Sequence, residues 1–203
     1  TYLHPFQLGM RSDRVKKGLE RAAQRSLLYS LGLKKYEIDR PWIGIANSWT
    51  DVVPGHTWLR VLSRTIRDGI ASSGATPFEF DSIAICDGLC QGTMGMAYSL
   101  PSRELIADSV EAVVEAHAFD GIVLVSSCDK IIPGHLMAAA RLNIPSIVVT
   151  GGPMMPGFAE DAQRDLVHDG FEAVGLYQHG KLTEQDVYNF ECYGCPGAGS
   201  CSG

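Results

Sequence analysis

The chain has 203 residues, of which 45% are hydrophobic, 20% charged and 8% aromatic. This composition is typical of a water-soluble globular protein with a core of its own, and it excludes a disordered or collagen-like chain. The 17 Lys and Arg against 23 Asp and Glu give a net charge of −6, so nothing favours nucleic acid as a partner.

No apolar run approaches the roughly 20 residues that span a bilayer, and the first residues lack the order of a secretory signal. We therefore expect no membrane partner and a cytoplasmic location. The six cysteines should be thiols or metal ligands rather than disulfides. The chain stops in a loop rich in Gly and Cys at 194–203, so we expect residues 1–203 to be a single, truncated α/β domain.

The predicted elements alternate along the chain. Apolar residues recur every three or four positions over 12–31, which predicts an amphipathic helix capped by Ser12. The predicted strands cover 42–48, 78–86, 121–127 and 146–150. The predicted helices between them cover 57–74, 102–118 and 135–143. After Gly151 the pattern weakens, and the expected helices cover 159–175 and 183–190.

Strands that alternate with helices predict an α/β fold with a parallel sheet and helices on both faces, in three layers. Ligands of such sheets bind beyond the carboxyl ends of the strands. The loops that follow the four strands are therefore the places where functional residues are expected. They cover 47–56, 86–96, 128–135 and 151–157.

Three reactive side chains, Cys128, Asp129 and Lys130, follow the third strand directly. A thiolate suits iron or zinc and a carboxylate suits Mg²⁺, so this tripeptide could serve two metals that one substrate bridges. Asp87 follows the second strand, and carboxylates at the ends of neighbouring strands can converge on one Mg²⁺. The alternatives are a buried thiol beside a surface ion pair and, for Asp87 with Gly88, a simple turn.

Three further cysteines, Cys192, Cys195 and Cys201, crowd the end of the chain between glycines and indicate a metal site. A zinc site would have to recruit Cys86 and Cys90, or a His, from a distant loop. An iron–sulfur cluster is the alternative. His56 and His135 could contact substrate or cluster, although loop packing is the more frequent role of such residues.

Five segments together resemble one known family. They cover 47–56, 86–111, 127–134, 151–154 and 195–203. Their order and spacing over 11–203 resemble the dihydroxy-acid and sugar-acid dehydratase family, and NSWTDVVPGH and YSLPSRELIADSVE are most similar to its dihydroxy-acid branch. The resemblance implies the N-terminal domain of a two-domain dehydratase, whose barrel-like C-terminal domain lies outside this chain.

The resemblance implies an iron–sulfur cluster whose ligands include Cys128 and Cys201. The [2Fe–2S] branch of the family has a further Cys at the position of Gly55. The choice between [2Fe–2S] and [4Fe–4S] therefore stays open, and we expect a [4Fe–4S] cluster with Cys195 as a third ligand.

The resemblance also implies Mg²⁺ bound by Asp87, Asp129 and Lys130, with Lys130 as a carbamate and as the catalytic residue of this chain. A Glu ligand and a Ser general base of the family lie outside residues 1–203, so this portion alone is expected to be inactive. A homodimer is expected as well.

The implied activity is dehydration of a 2,3-dihydroxy acid to a 2-keto acid in the biosynthesis of branched-chain amino acids, valine and isoleucine among them. Within the family, a sugar acid such as an aldonate is the alternative substrate. A non-catalytic zinc-binding or redox module is the alternative from another class. The colour of the protein separates the two classes, because iron–sulfur proteins are brown and zinc proteins are colourless.

Overall fold

The computed structural model describes residues 9–159 and 162–201. At its centre is a parallel sheet of four strands in the order β2-β1-β3-β4, and β5 and β6 form a separate antiparallel pair. The strands are β1 (Trp42–Asn47), β2 (Thr76–Asp81), β3 (Gly121–Ser126), β4 (Ser146–Thr150), β5 (Gly157–Ala159) and β6 (Ala162–Arg164).

Helices connect the parallel strands, as parallel pairing requires. The helices are α1 (Asp13–Lys16), α2 (Ala22–Ser30), α3 (Lys35–Asp39), α4 (Leu59–Ser72), α5 (Asp87–Cys90), α6 (Met96–Ser99), α7 (Ser102–His117), α8 (Ile131–Leu142), α9 (Phe171–Gln178) and α10 (Glu184–Tyr193). Short 3₁₀ turns lie at Leu19–Arg21 and Pro54–His56, and one π-helical turn lies at Leu166–Gly170.

The sheet is covered on both faces. Helices α7 and α8 share one core cluster with Ala46 and Leu124. Helix α4 shares the other cluster with Ile45, Val123 and Val125. Successive residues of a strand point to opposite faces, which is why neighbours along β1 and β3 enter different clusters. The predicted α/β fold with three layers is confirmed.

The first predicted helix, over 12–31, is wrong as one continuous element. It is broken at Gly18, which has a φ of 92° and lies between α1 and the first 3₁₀ turn. The guanidinium of Arg25 donates to the carbonyl oxygens of Lys16 and Gly18 at 2.8 and 2.6 Å, and so satisfies groups that the break leaves free. Ser12 does not cap α1, because its amide and hydroxyl donate to Asp120 instead.

The second predicted strand, over 78–86, ends too late. Strand β2 ends at Asp81, which pairs with Asn47, the last residue of β1. Beyond this point β2 has no partner, apart from the hydrogen bond from the amide of Ser82 to the carbonyl of Asn47 at 2.9 Å. Asp87 therefore does not stand at a strand end, because it begins α5 after the segment 82–86.

The predicted helix over 159–175 is wrong in its first half. The described residues there form β5, β6 and the π-helical turn, and the helix α9 begins at Phe171; residues 160 and 161 lie outside the described part. The carboxylate of Asp169 stabilises the turn, because it accepts from the amide of Asp165 at 2.7 Å and pairs with Arg164 at 2.9 Å.

The other predicted helices are confirmed with shifted ends. Helix α8 begins at Ile131, before the predicted 135, and takes Pro133 into its first turn, where proline is tolerated. Helix α10 corresponds to the predicted 183–190. Thr183 caps it, since its hydroxyl accepts from the amide of Asp186 and its amide donates to that carboxylate.

Among the helices of the described residues, none combines the length and the apolar character needed to cross a membrane.

Candidate functional site

A cavity of about 470 Å³ opens beyond the carboxyl ends of β1, β2 and β3. Loops after these strands form one side, and the C-terminal segment 153–201 forms the other. Four cysteines line it: Cys86, Cys128, Cys195 and Cys201. The structure thus brings the three predicted cluster cysteines to one cavity, together with a fourth that was expected only for a zinc site.

The backbone of Cys128 is strained. Its φ is 69°, a conformation that costs a side chain with a Cβ roughly 1–2 kcal/mol. The other described residues with positive φ that are not glycine, Ala118 and Asn143, follow the ends of α7 and α8, where this conformation is common. Cys128 ends no helix, and its conformation turns the chain sharply between β3 and α8.

Burial dominates the chemistry of the Cys128 thiol. It raises the pKa of Cys128 to about 11, although a weak contact with the hydroxyl of Ser200 at 3.9 Å acts the other way. Burial also raises the pKa of Cys195 and of Cys201. Without a metal these thiols keep their protons, whereas a bound metal would hold them as thiolates and release those protons.

Backbone contacts join the end of the described chain to the loop that follows β4. The amide of Met154 donates to the carbonyl of Ser200 at 2.6 Å, and the amide of Ser200 donates to the carbonyl of Gly152 at 3.1 Å. A Cβ at Gly199 would lie 2.6 Å from the Cα of Met154, so only glycine fits this close approach. This contact brings Cys201, the next residue after Ser200, to the cavity.

Asp87, Asp129 and Lys130 lie together beside the thiols. The ammonium of Lys130 is 2.5 Å from one oxygen of Asp87 and 3.7 Å from an oxygen of Asp129. The hydroxyl of Ser99 also donates to Asp87. We expected β2 and β3 to be neighbouring strands, but β1 lies between them. Asp87 nevertheless reaches Lys130, because the segment 82–86 leads from the end of β2 across the end of β1.

These contacts set the charges of the pair. Burial works against the charge on Asp87, but the hydrogen bonds from Lys130 and Ser99 outweigh it, and the pKa of Asp87 lies below its ordinary value. The hydrogen bond to Asp87 raises the pKa of Lys130. Lys130 is therefore an ammonium that supplies positive charge between two carboxylates.

Gly55 lies directly against the thiol of Cys128. A Cβ at this position would lie 2.9 Å from the sulfur of Cys128 and 3.0 Å from the hydroxyl of Ser200. Both distances are shorter than ordinary van der Waals contact, so a side chain at 55 would displace Cys128 or Ser200. The position at which the resemblance places a further Cys in other members therefore lies directly beside the thiol of Cys128, and in this chain it offers no ligand atom.

The two histidines are buried and support the loops. His56 contacts the carbonyl oxygens of Ser48 at 2.7 Å and Ser127 at 2.9 Å, and so joins the loops after β1 and β3. His135 contacts the hydroxyl of Ser82 at 2.9 Å. Burial lowers the pKa of His56, and lowers that of His135 to about 4. His56 therefore packs within a loop and His135 within the first half of α8, so both have the packing role expected of them.

Two residues of this site were not predicted from the sequence. Cys86 was not expected to be near the cluster, but it lines the cavity. Ser99 was not expected to contact Asp87, but it donates a hydrogen bond to that carboxylate. A signal for Cys86 was present, because the dipeptide Cys-Asp occurs both at 86 and at 128. No such signal exists for Ser99.

Two of the six cysteines do not line the cavity: Cys90, which is half-buried, and Cys192, which is exposed. Within the described ranges, no three His, Cys, Asp or Glu side chains converge as closely as the ligands of one metal ion do.

Comparisons with known proteins identify the family. A family model described as dihydroxy-acid/6-phosphogluconate dehydratase N-terminal matches residues 40–203. Proteins named dihydroxy-acid dehydratase from Methanosarcina barkeri, Thermodesulfovibrio yellowstonii and Methanospirillum hungatei are 54%, 55% and 56% identical over 194 residues. These alignments cover 96% of this chain but 35% of each relative, so the chain spans about a third of their length. The chain belongs to the dihydroxy-acid/6-phosphogluconate dehydratase family and matches its N-terminal part.

Proposed function

We propose that the full-length protein is a hydro-lyase that removes water from a 2,3-dihydroxy acid and forms a 2-keto acid. The names of its relatives support this activity, and branched-chain amino-acid biosynthesis is the role we infer from it. One observation carries the proposal: soft and hard metal ligands occur together, since Cys128 lines a cavity of thiols while Lys130, two residues later, contacts Asp87. This chain then supplies the metal-binding part of the active site.

The donor set fits an iron–sulfur cluster held by Cys128, Cys195 and Cys201. All three line the same cavity, and thiolates are the ligands that such clusters require. Gly55 supports a [4Fe–4S] cluster with Cys195 as the third ligand, because this position has no side chain that could bind iron. When bound, a cluster with an open iron supplies a Lewis acid that helps hydroxide, a poor leaving group, to depart.

The second donor set fits Mg²⁺ held by Asp87, Asp129 and a modified Lys130. Mg²⁺ takes one or two carboxylates together with substrate oxygens, and supplies positive charge that acidifies the C2 proton of the acid. In this chain Ser99 orients Asp87 by its hydrogen bond. Lys130 must lose its positive charge before it can be a ligand.

A carbamate on Lys130 provides that loss of charge. The nitrogen of the neutral amine forms a bond to the carbon of CO₂ and gives up one proton to solvent, which leaves an anionic ligand. The ion pair with Asp87 opposes this reaction, because it holds the pKa of Lys130 above the ordinary value. Mg²⁺ on Asp87 would remove that ion pair, so carbamate formation and Mg²⁺ binding should favour each other.

We further propose that the rest of the polypeptide, as a barrel-like domain, supplies the general base that takes the C2 proton. Cytoplasmic location and a homodimer belong to the same proposal, and cell fractionation and size-exclusion chromatography of the full-length protein measure them.

The test is anaerobic purification of the full-length protein, with iron and sulfide analysis, electron paramagnetic resonance and turnover assays. We expect a brown protein that dehydrates 2,3-dihydroxyisovalerate in preference to aldonates and needs Mg²⁺. Preferential turnover of aldonates would make it a sugar-acid dehydratase instead. A colourless, inactive protein with stoichiometric zinc on the four thiols would refute the proposal.

A further inference from the structure

The loops after β2 and β3 carry the same pair of ligand types. Cys86 directly precedes Asp87, and Cys128 directly precedes Asp129. Both cysteines line the one cavity, and both carboxylates contact the ammonium of Lys130, at 2.5 and 3.7 Å. Each of the two loops therefore brings a thiol to the cavity and, one residue later, a carboxylate to Lys130.

Cys86 is held in place by its local structure. Its backbone is extended, with φ −91° and ψ 110°, and its carbonyl accepts from the amide of Cys90 at 3.1 Å, which closes the turn of α5. Its side chain is half-buried. A β-carbon added at Gly88 would lie 3.9 Å from the sulfur of Cys86, which is an ordinary van der Waals distance. Gly88 therefore leaves the thiol of Cys86 enough space for small movements.

The thiol of Cys86 lines the same cavity as the three proposed cluster ligands, Cys128, Cys195 and Cys201. Three thiolates suffice for a cluster with one open iron, so the cavity holds one thiol more than the proposed chemistry uses.

We propose that Cys86 is a fourth thiol of the cluster site. This inference rests on the proposed function: as a thiolate, Cys86 binds the cluster while no substrate is present. The dihydroxy acid displaces it, and the thiolate takes one proton from solvent as it leaves, without a change of oxidation state. Cys86 thereby protects the reactive corner of the cluster from oxygen between turnovers.

The test compares the variants Cys86→Ala and Cys86→Ser with the wild-type full-length protein. Cys90→Ala is the matched control, because Cys90 is a half-buried cysteine at the end of α5, the helix that Cys86 precedes, and it does not line the cavity. Each protein is purified anaerobically and its iron and sulfide are counted. It is then exposed to air, or oxidised with ferricyanide, while cluster absorption and the electron paramagnetic resonance signal of [3Fe–4S] are followed.

We expect all four proteins to contain the same cluster under anaerobic conditions. Without substrate, both Cys86 variants should lose cluster absorption about tenfold faster than wild type in air, the scale on which partners of a metal site act. They should also form [3Fe–4S] more readily, whereas Cys90→Ala should match wild type. With 2,3-dihydroxyisovalerate present the difference should disappear, because the substrate then takes the place of Cys86 in the wild-type protein.

Equal rates in wild type and both Cys86 variants would overturn this inference and leave the proposed function intact. Failure of both folded variants to assemble a cluster would also overturn it, because Cys86 would then be a permanent ligand. Absence of any cluster from the wild-type protein would instead refute the proposed function, so the two failures are distinguishable.

Discussion

Strand β3, which leads directly to Cys128 at the cavity, and the C-terminal segment 153–201 are held in the structure by different means. Every residue of β3 is buried between α4 on one face and α7 and α8 on the other. Among the residues of the C-terminal segment whose burial is described, only Gly157, Ala173 and Gly199 are buried. Both regions nevertheless supply thiols to the site, Cys128 after β3 and Cys195 and Cys201 from the segment.

The comparison shows that the stability of the fold and the chemistry of the site depend on separate interactions. Apolar burial on both faces orders β3, independently of any ligand. Around Ser200, one backbone hydrogen bond joins the segment to Gly152 in the loop after β4, while the bond from Met154 to Ser200 and the fit of Gly199 against Met154 lie within the segment. We expect a cluster that joins Cys128 to Cys195 and Cys201 to be a further link between the two regions.

The largest expected effect follows from Cys128→Ser in the full-length protein. Because this residue would link β3 to the cluster, iron content and dehydration should both fall by more than about a hundredfold. Cys192→Ser is the control, since Cys192 is exposed and does not line the cavity. A normal cluster in Cys128→Ser would contradict the assignment of Cys128 as a ligand.

Removal of the metals should separate the two regions directly. We expect chelation to lower hydrogen-exchange protection of segment 153–201 by roughly a hundredfold, as loss of a tightly bound ligand does. Protection of β3 should stay unchanged, because its amides are ordered by the sheet and the helices around it. Parallel loss of protection in both regions, measured by mass spectrometry, would show that the sheet also depends on the cluster.

Asp120→Ala should destabilise the fold at a place distant from the site. Asp120 accepts from the amide and hydroxyl of Ser12 at 3.0 and 2.6 Å, and from the amide of Trp42 at 2.7 Å. Loss of these bonds should lower the free energy of unfolding by about 3 kcal/mol, with iron per folded protein unchanged.

Asp108→Ala is the control for Asp120→Ala. Asp108 pairs with Arg141 at the surface, and such pairs contribute less than about 1 kcal/mol. Unfolding in urea measures both variants, and equal effects would contradict the role of Asp120.

A fall in pH should lower the stability of the fold, because His135 is buried. Its pKa is about 4 in the folded protein, against an ordinary value of 6.5. The unfolded chain therefore binds a proton that the folded chain excludes as the pH falls below 6.5, and stability is lost in that range. Between pH 7 and pH 5 we expect a loss of about 2 kcal/mol.

His135→Gln should remove this part of the pH dependence, whatever its effect at pH 7. His117→Gln, at an exposed site, should leave the dependence as in the wild type. Urea unfolding at the two pH values measures the difference, and an unchanged slope for His135→Gln would contradict the assignment to His135.

The smallest expected effect is that of Asp129→Asn, which changes the site without touching either packed region. Its side chain is 71% exposed, so the fold should keep its stability. The Mg²⁺ concentration needed for half-maximal activity should rise about tenfold, while the brown colour of the protein is retained. An unchanged Mg²⁺ requirement would count against Asp129 as a ligand.

The sequence predicted most of the sheet and part of the site, for local reasons. The alternation of apolar strands with amphipathic helices was sufficient for the α/β fold, because each pattern lies within a short window. It failed at Gly18 and after Asp81. The first break depends on a side chain, Arg25, that satisfies free carbonyls, and the second on the length of the partner strand.

By itself, the sequence determined that Cys128, Asp129 and Lys130 stand together at a strand end, since adjacent residues cannot be separated by folding. Only the tertiary structure decided that Asp87 reaches Lys130 across β1, and that Cys86, Cys195 and Cys201 share a cavity with Cys128. The reason is physical: strand order and backbone contacts such as that between Met154 and Ser200 join residues far apart in the chain. A pattern within a short stretch of sequence does not specify which distant residues meet.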